Sequence, residues 1–169
     1  MNIRCLDAID AVALRGLSDV LIDCVDGGAS VSFMAPLSRE KANAFWTDAM
    51  LSAARGERLL LVAEDAAGAI IGTVQVVFAQ YENQPHRADI AKMLVHRAAR
   101  KRGVGESLLA HAELLARQAG KTLLVLDTAS GDAERLYARR GWQRCGVIPG
   151  YALLPHGGLC DTTVFYRTL

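Results

Sequence analysis

The stretch RKRGVG, residues 100–105, lies between an apolar segment, MLV (93–95), and a helical pattern, ESLLAHAELLARQAG (106–120). Three cations therefore run into two glycines where a helix is expected to begin. The first amides of a helix lack partners within the helix, and the helix dipole adds partial positive charge, so such a position attracts anions. We expect a phosphate-binding turn, although a solvated basic loop with a glycine that eases the turn would share this composition.

Two common nucleotide-binding motifs do not match this turn. A P-loop requires Gly-Lys followed by Ser or Thr, whereas Gly105 is followed by Glu106. A dinucleotide-binding turn requires G-x-G-x-x-G directly after its strand, but GVGESL lacks the third glycine and residues 96–102 intervene. Asp127 stands about where that motif has its ribose-binding acid. The pattern nevertheless shows only one strand–helix–strand crossover, which argues against a dinucleotide fold.

Strand and helix patterns alternate outward from the turn over the whole chain. The helix after the turn is followed by an apolar strand, TLLVLDT (122–128), and such a crossover implies a parallel pair. The pattern predicts strands at 2–6, 58–65, 69–80, 87–96, 122–128, 142–153 and 162–169, and helices at 8–25, 38–56, 104–120 and 131–141. We therefore expect a mixed α/β fold in a single domain, residues 1–169, with a mixed sheet flanked by helices.

The composition argues against several classes of function. Nineteen Lys and Arg balance eighteen Asp and Glu, so no global field favours nucleic acid or an anionic membrane as a partner. Four cysteines without a C-x-x-C pair are typical of free thiols in a reducing compartment, and no signal-peptide or membrane-spanning pattern occurs, so we expect a cytoplasmic protein. The four histidines show no metal-ligand spacing, and no nucleophile–histidine motif is recognisable. Neither a metal nor an acyl-enzyme is expected.

Two segments carry a family resemblance. VHRAARKRGVGESLLAHAE (95–113), with Arg100, Gly103 and Gly105 in an R-x-x-G-x-G signature, resembles the acetyl-CoA-binding motif of the GCN5-related N-acetyltransferases, the GNAT family. DTASGDAERLYARRGW (127–142) is similar to the next motif of that family, in which an alanine and then a tyrosine precede a glycine–aromatic pair. Within the family, the segments HRADIAKMLV, LLVLDT, IPGYALLPHGG and TTVFYRTL most resemble the tabtoxin-resistance acetyltransferases.

The resemblance implies a GNAT-type acyl-CoA N-acyltransferase fold, a mostly antiparallel sheet whose central parallel pair splays apart. The pantetheine arm of acetyl-CoA would lie between the splayed strands and pair with backbone groups of Met93, Leu94 and Val95. Many family members have Asn where this chain has Ser130, so Ser130 is expected either to contact the cofactor or to cap the next helix. The turn would hold the pyrophosphate, with the Glu106 side chain pointing away. The residues assigned to the pyrophosphate are Arg100, Lys101, Arg102, Gly103, Val104, Gly105 and Glu106.

Acetyl transfer to an amine makes chemical demands that the resemblance assigns to named side chains. An alkylammonium must lose a proton before it attacks, which suits a carboxylate, and Asp127 and Asp89 are the expected acids. Tyr137 is the expected proton donor to the departing thiolate, although its place on an apolar helix face also suits the core. Backbone amides near Leu94 would stabilise the oxyanion. Asp89 and Met93 share a face if their strand stays regular, and the bulge typical of the family would break that arrangement.

These observations predict direct transfer of the acetyl group of acetyl-CoA to the primary amine of a small molecule, for which an amino-acid-like toxin or antibiotic is one candidate. Two alternatives stay open: a non-catalytic domain that binds or senses acyl-CoA, and a protein lysine acetyltransferase. The expected partners are acetyl-CoA and the amine, without nucleic acid, membrane or metal. A homodimer is compatible with the sequence.

Overall fold

Seven strands and four α-helices make up the computed structural model, which describes residues 1–169. The strands are β1 (Asn2–Leu6), β2 (Arg58–Glu64), β3 (Ile70–Phe78), β4 (Arg87–Val95), β5 (Leu123–Thr128), β6 (Gln143–Leu153) and β7 (Leu159–Thr168). The helices are α1 (Ala11–Asp26), α2 (Arg39–Ala54), α3 (Val104–Gln118) and α4 (Gly131–Arg139), and one 3₁₀ turn, Arg97–Ala99, precedes α3. None of the helices combines the length and the apolar character that crossing a bilayer requires.

The strands form one sheet in the order β1-β2-β3-β4-β5-β7-β6. Only β4 and β5 are parallel, and α3 makes the crossover between them. Their pairing covers Arg87 to Asp89 on β4 and Leu123 to Val125 on β5, although β4 continues to Val95. The two strands therefore separate towards their carboxyl ends. The expected mixed α/β fold with a splayed parallel pair is confirmed.

Helices cover both faces of the sheet, and each face has its own apolar core. On the α1–α2 face, Leu21 and Trp46 are buried with Leu60 of β2. On the α3–α4 face, Leu108 is buried with Leu61, the next residue of β2. Successive residues of a strand point to opposite faces, so one apolar strand supplies both cores. Burying each large side chain of this kind contributes about 1.5–3 kcal/mol, which makes burial the main term that holds the layers together.

Two element boundaries differ from the sequence prediction for local reasons. The first helix begins at Ala11 because the carboxylate of Asp10 accepts hydrogen bonds from the amides of Val12 (2.9 Å) and Ala13 (3.0 Å) and so caps it. The last strand begins at Leu159 rather than at residue 162, because it pairs with β6 almost to the tip of their hairpin. The first difference shortens the start of the helix, and the second lengthens the strand by three residues.

The amino end of α3 is held beside β4 by a close contact at Gly72 of β3. A Cβ atom at this position would lie 3.0 Å from the carbonyl oxygen of Leu94 and 3.1 Å from side-chain carbons of Leu108 and Val104. A larger residue would push the helix away from the sheet, since the nearest of these neighbours is a backbone oxygen that cannot move aside. The first turn of α3 therefore sits next to the carboxyl end of β4, where the parallel strands separate.

A buried ion cluster joins α3 to the end of α4 and to β7. Glu113 is 6% exposed and accepts hydrogen bonds from Arg140 (2.7 Å), Arg167 (2.8 Å) and the indole of Trp142 (2.8 Å). The ring of Trp142 packs against that of Tyr137, with 5.7 Å between the ring centroids. The cluster therefore fixes where α4 carries Tyr137 relative to the sheet.

Candidate active site

The turn between β4 and α3 takes a backbone form that favours glycine. Lys101 has a φ of 59° and Gly103 a φ of 78°, both in the left-handed region. Gly103 directly precedes α3 and supplies no side-chain cap. Asp10, Ser38 and Ser130 cap the other three helices with their side chains. The start of α3 is therefore the one helix start without a capping side chain.

The first amides of α3 are free of partners. The backbone N–H groups of Val104, Gly105 and Glu106 donate to no carbonyl of the chain, whereas Ser107 already donates to the Gly103 carbonyl at 3.0 Å. Glu106 is exposed, as expected if its carboxylate points away from the site. An anion at this position would receive hydrogen bonds from the free amides and would also be favoured by the helix dipole. The residues present thus fit the pyrophosphate of acetyl-CoA.

The three cations of the turn differ in what they contact. Lys101 and Arg102 are exposed side chains that face solvent. Arg100 instead donates from Nε to the carbonyl of Val95 (3.2 Å), and its guanidinium lies 4.0 Å from the sulfur of Cys24 on α1. Arg100 therefore braces the turn against β4 and α1, while Lys101 and Arg102 are available to a ligand.

The carboxylate of Asp23, near the end of α1, binds the 3₁₀ turn that leads into residues 100–105. It accepts hydrogen bonds from the amide (2.8 Å) and the Nε (2.9 Å) of Arg97, 74 positions along the chain. Burial opposes ionisation of Asp23, but the bonds from Arg97 outweigh it and lower the pKa of the carboxyl group. The sequence around Asp23 gives no sign of this contact, because a single Asp on a helix is usually solvated.

A bulge in β4 changes which of its side chains share a face. The register with β3 shifts between Thr73 and Gln75, and Lys92 at the shift has a left-handed φ of 48°. Ile90, before the bulge, points into the core of the α3–α4 face, whereas Leu94, four residues later, points into that of the α1–α2 face.

The bulge also separates two of the residues assigned to the site. Met93 packs against the core of the α3–α4 face. Asp89 precedes Ile90, which points into that same core, so Asp89 faces the other way. Asp89 and Met93 were expected to share a face only in a regular strand; the bulge inserts one residue between them, so they lie on opposite faces.

Asp89 and Asp127 line the same pocket, which has a volume of about 240 Å³ and is walled mostly by apolar side chains of β4, β5, β6 and β7. It opens where β4 and β5 separate. Asp127 faces away from the α3–α4 core that contains Leu126, and its carboxylate accepts a hydrogen bond from the hydroxyl of Thr162 at 2.8 Å. The structure thus brings the two predicted acids together. No group of three His, Cys, Asp or Glu side chains is arranged to hold a metal ion.

The two acids have different electrostatic surroundings. Asp89 forms an ion pair with Arg87 at 2.7 Å, and Arg87 is in turn oriented by the side chain of Gln84 at 3.0 Å. Asp127 has a neutral partner, the Thr162 hydroxyl. Sequence reasoning treated the two carboxylates as equivalent, but Asp89 forms an ion pair and Asp127 forms none within 4 Å.

The sequence suggested two roles for Tyr137, a core position and a proton donor, and its surroundings are compatible with both. The residue is 3% exposed, and its ring packs against those of Trp142 and Phe165 at centroid distances of 5.7 Å and 5.8 Å. Burial and the charge of Asp127 raise the pKa of its phenol, so the hydroxyl stays protonated near neutral pH. The ring therefore belongs to the core, while the hydroxyl keeps a proton that it can donate.

Ser130 takes the helix-capping role that was one of its two expected uses. Its hydroxyl accepts a hydrogen bond from the amide of Ala133 (3.4 Å), and its own amide donates to the hydroxyl of Thr128 (3.2 Å). These bonds set the first residue of α4 and thereby the position of Tyr137, two turns later.

Sequence reasoning missed Lys92, the bulge residue. Its Nζ donates to the hydroxyl of Ser32 (3.1 Å), in the connection between α1 and α2, and lies 5.6 Å from the centre of the Phe45 ring. Burial lowers the pKa of this ammonium, and the charge of Asp127 opposes that effect. The available signal was a lysine inside an otherwise apolar strand segment, IAKMLV, where a solvated lysine is not expected.

Several solved structures share this fold. The ribosomal-protein-alanine N-acetyltransferase of Brucella melitensis matches with a TM-score of 0.81 at 22% identity over 100% of both chains. An N-acetyltransferase of Staphylococcus aureus matches with a TM-score of 0.81 at 18% identity over 99% of this chain and 97% of its own. A GNAT superfamily phosphinothricin acetyltransferase of Sinorhizobium meliloti, in complex with acetyl-CoA, matches with a TM-score of 0.82 at 21% identity over 100% of this chain and 89% of its own. At these identities the likeness shows the fold.

The family is shown by sequence. The family model described as an acetyltransferase (GNAT) domain matches residues 56–144, more than half of the chain. That range contains β4, the turn before α3, the splayed pair and α4, the elements that form the site described above. The chain therefore belongs to the GNAT family of acetyltransferases and is an acetyl-CoA-dependent enzyme.

Proposed function

We propose that this enzyme transfers the acetyl group of acetyl-CoA directly to the primary amine of a small molecule, with an amino-acid-like toxin or antibiotic as one candidate acceptor. One observation carries the proposal: the carboxylate of Asp127 lines the pocket where the parallel strands separate, and its charge adds to burial in raising the pKa of the Tyr137 phenol. Amine acylation needs a proton acceptor and a proton donor near the transferred acetyl group.

The turn and β4 serve the co-substrate. The free amides at the start of α3 bind the pyrophosphate, and Lys101 and Arg102 add charge-assisted hydrogen bonds. The backbone of Met93, Leu94 and Val95 faces the gap left by β5 and takes the pantetheine arm as an added strand. Bound in this way, acetyl-CoA supplies the activated acetyl group.

The side chains at the pocket handle the protons. An acceptor amine arrives as an ammonium ion and must lose a proton, which the carboxylate of Asp127 accepts directly or through a water. The departing thiolate gains the proton of the Tyr137 hydroxyl. Because Asp89 is already paired with Arg87, it contributes to the shape and charge of the pocket more than to proton transfer.

The size and lining of the pocket favour a small acceptor over the two alternatives. A volume of about 240 Å³ suits a molecule of a few heavy atoms better than a peptide. A domain that only senses acyl-CoA has no need of carboxylates in a pocket where the parallel strands separate. Among solved neighbours, the Sinorhizobium meliloti protein is described as a phosphinothricin acetyltransferase and the Brucella melitensis protein as acting on ribosomal-protein alanine. The same fold therefore serves acceptors of both kinds, and the pocket decides between them.

A screen of primary amines tests the proposal. The enzyme is incubated with acetyl-CoA and single amines, which include amino acids, their carboxamides, simple alkylamines and a lysine-containing peptide, and thiol release is measured. We expect release with small amines that exceeds release with the peptide, and loss of it in Tyr137→Phe. Tight binding of acetyl-CoA without thiol release for any amine would contradict the proposal and favour a sensor.

A further inference from the structure

Lys92 holds a charged group beside the acceptor pocket. It follows Ala91, which lines the pocket, and the bulge turns its side chain towards the connection between α1 and α2. Its Nζ lies between the hydroxyl of Ser32 and the ring of Phe45. The ammonium therefore sits on the acceptor side of the sheet, away from the turn that binds the pyrophosphate.

This ammonium forms no ion pair within 4 Å, although the charge of Asp127 is near enough to raise its pKa. Its hydrogen bond goes to a neutral hydroxyl, and the ten ion pairs of the chain, which include Arg87 with Asp89, do not include Lys92. Half-buried charges are normally paired, because taking an ion out of water costs several kcal/mol unless an opposite charge compensates. Burial lowers the pKa of Lys92, and the charge of Asp127 offsets this effect only in part.

Some charged groups at the pocket form ion pairs with each other, and others do not. Arg87 and Asp89 cancel each other at 2.7 Å. What remains is one negative group, Asp127, and one positive group, Lys92, each held by a hydroxyl, that of Thr162 and that of Ser32. A pocket with one charge of each sign is complementary to a ligand that carries both.

We propose that Lys92 is a specificity-determining residue that binds a carboxylate-type anionic group of the acceptor while the amine of the same molecule faces Asp127. This inference rests on the proposed function and narrows its acceptor class to small zwitterions. The strained backbone at Lys92 supports it, since a left-handed φ in a residue other than glycine is retained where a function depends on the side-chain position.

Matched acceptors and matched variants test this role. The acceptors are the amino acids that the wild-type enzyme acetylates and their carboxamides, which keep the amine and lose the negative charge. The variants are Lys92→Met, which keeps the length and loses the charge, and Lys92→Arg, which keeps the charge. Lys121→Met serves as the control, because Lys121 donates to the carbonyl of Pro85 at the other end of the sheet strands.

We expect Lys92→Met to raise KM about 10-fold or more for the amino acid, as loss of a charged hydrogen bond does, and to change KM for the carboxamide little. Lys92→Arg retains most of the preference, and Lys121→Met behaves as wild type. The inference would be overturned if Lys92→Met raised KM equally for the amino acid and the carboxamide, or if the Arg and Met variants raised KM equally. Either outcome would leave the proposed function standing. If the wild-type enzyme acetylates alkylamines and carboxamides but no amino acid, the inference also fails. The proposed function itself fails only if no amine is acetylated or if the lysine-containing peptide is the only acceptor.

Discussion

The charge of Asp127 on β5 acts on the phenol of Tyr137 on α4, where it adds to burial in raising the Tyr137 pKa. The hydroxyl of Thr162 orients the carboxylate at 2.8 Å, and the Trp142 and Phe165 rings fix the phenol. Two successive elements of the chain thus carry a group that can accept a proton, in the pocket where β4 and β5 separate, and a buried phenol that feels its charge. The role of each of these side chains can be tested by its own substitution.

Replacing Tyr137 with Phe should lower kcat on the order of 10²-fold, the scale of general acid catalysis. The ring contacts with Trp142 and Phe165 survive the change, so acetyl-CoA affinity and thermal stability should stay close to wild type. Steady-state kinetics, calorimetry and thermal unfolding provide the three measurements. Wild-type turnover at every pH from 6 to 9 would mean that Tyr137 is only a core residue.

The two acids should respond differently to neutralisation. Asp127→Asn should depress kcat strongly while acetyl-CoA affinity persists, because this carboxylate is bound by a neutral hydroxyl and forms no ion pair within 4 Å. Asp89→Asn should depress kcat less, since that carboxylate is already paired with Arg87. Turnover of the best acceptor across pH 6 to 9 decides the order. If Asp89→Asn proves the more damaging variant, the assignment of the proton acceptor must be exchanged.

Replacing the two exposed cations of the turn with anions should weaken acetyl-CoA binding. The double variant Lys101→Glu with Arg102→Glu should lower acetyl-CoA affinity roughly 10- to 100-fold, because it removes charge-assisted hydrogen bonds and adds repulsion. Arg117→Glu, a similar change at the exposed far end of α3, is the control and should bind nearly as wild type. Calorimetry at two salt concentrations checks the result, and equal effects of the two proteins would contradict a pyrophosphate site at the turn.

Asp23 should give the fold an acid-sensitive contribution. Because its pKa is lowered in the folded chain, its stabilisation is present above about pH 4, the unfolded value, and is lost as pH falls through the lowered folded value. Asp23→Asn should therefore reduce the free energy of unfolding by about 1–2 kcal/mol at pH 7, and by progressively less below about pH 4. Urea unfolding over this range measures the difference. Asp26→Asn, an exposed carboxylate at the same helix end, is the control, and a pH-independent loss in Asp23→Asn would argue against the Arg97 contact.

Features encoded within a short stretch were accessible from the sequence. The turn at residues 100–105 could be recognised because a free helix start, its glycines and its cations are contiguous. The crossover from β4 through α3 to β5 is also local, so the parallel pair followed from the order of the elements. The role of Ser130 as a cap was one of two predicted uses, since capping depends on the next three residues.

Features that depend on the register between distant strands were not accessible. The one-residue shift between β3 and β4 set the faces of Asp89, Lys92 and Met93, and a shift of one residue moves every later side chain to the other face.

The sequence by itself therefore determined the family, the order of the elements and the position of the anion-binding turn, because each follows from hydrogen-bonding and apolar patterns along neighbouring residues. Only the tertiary structure decided which acid keeps an unpaired charge and where Lys92 presents its ammonium. Those properties arise from contacts between groups up to 60 positions apart, such as Lys92 with Ser32, and their energies depend on burial and on distances that no local pattern encodes.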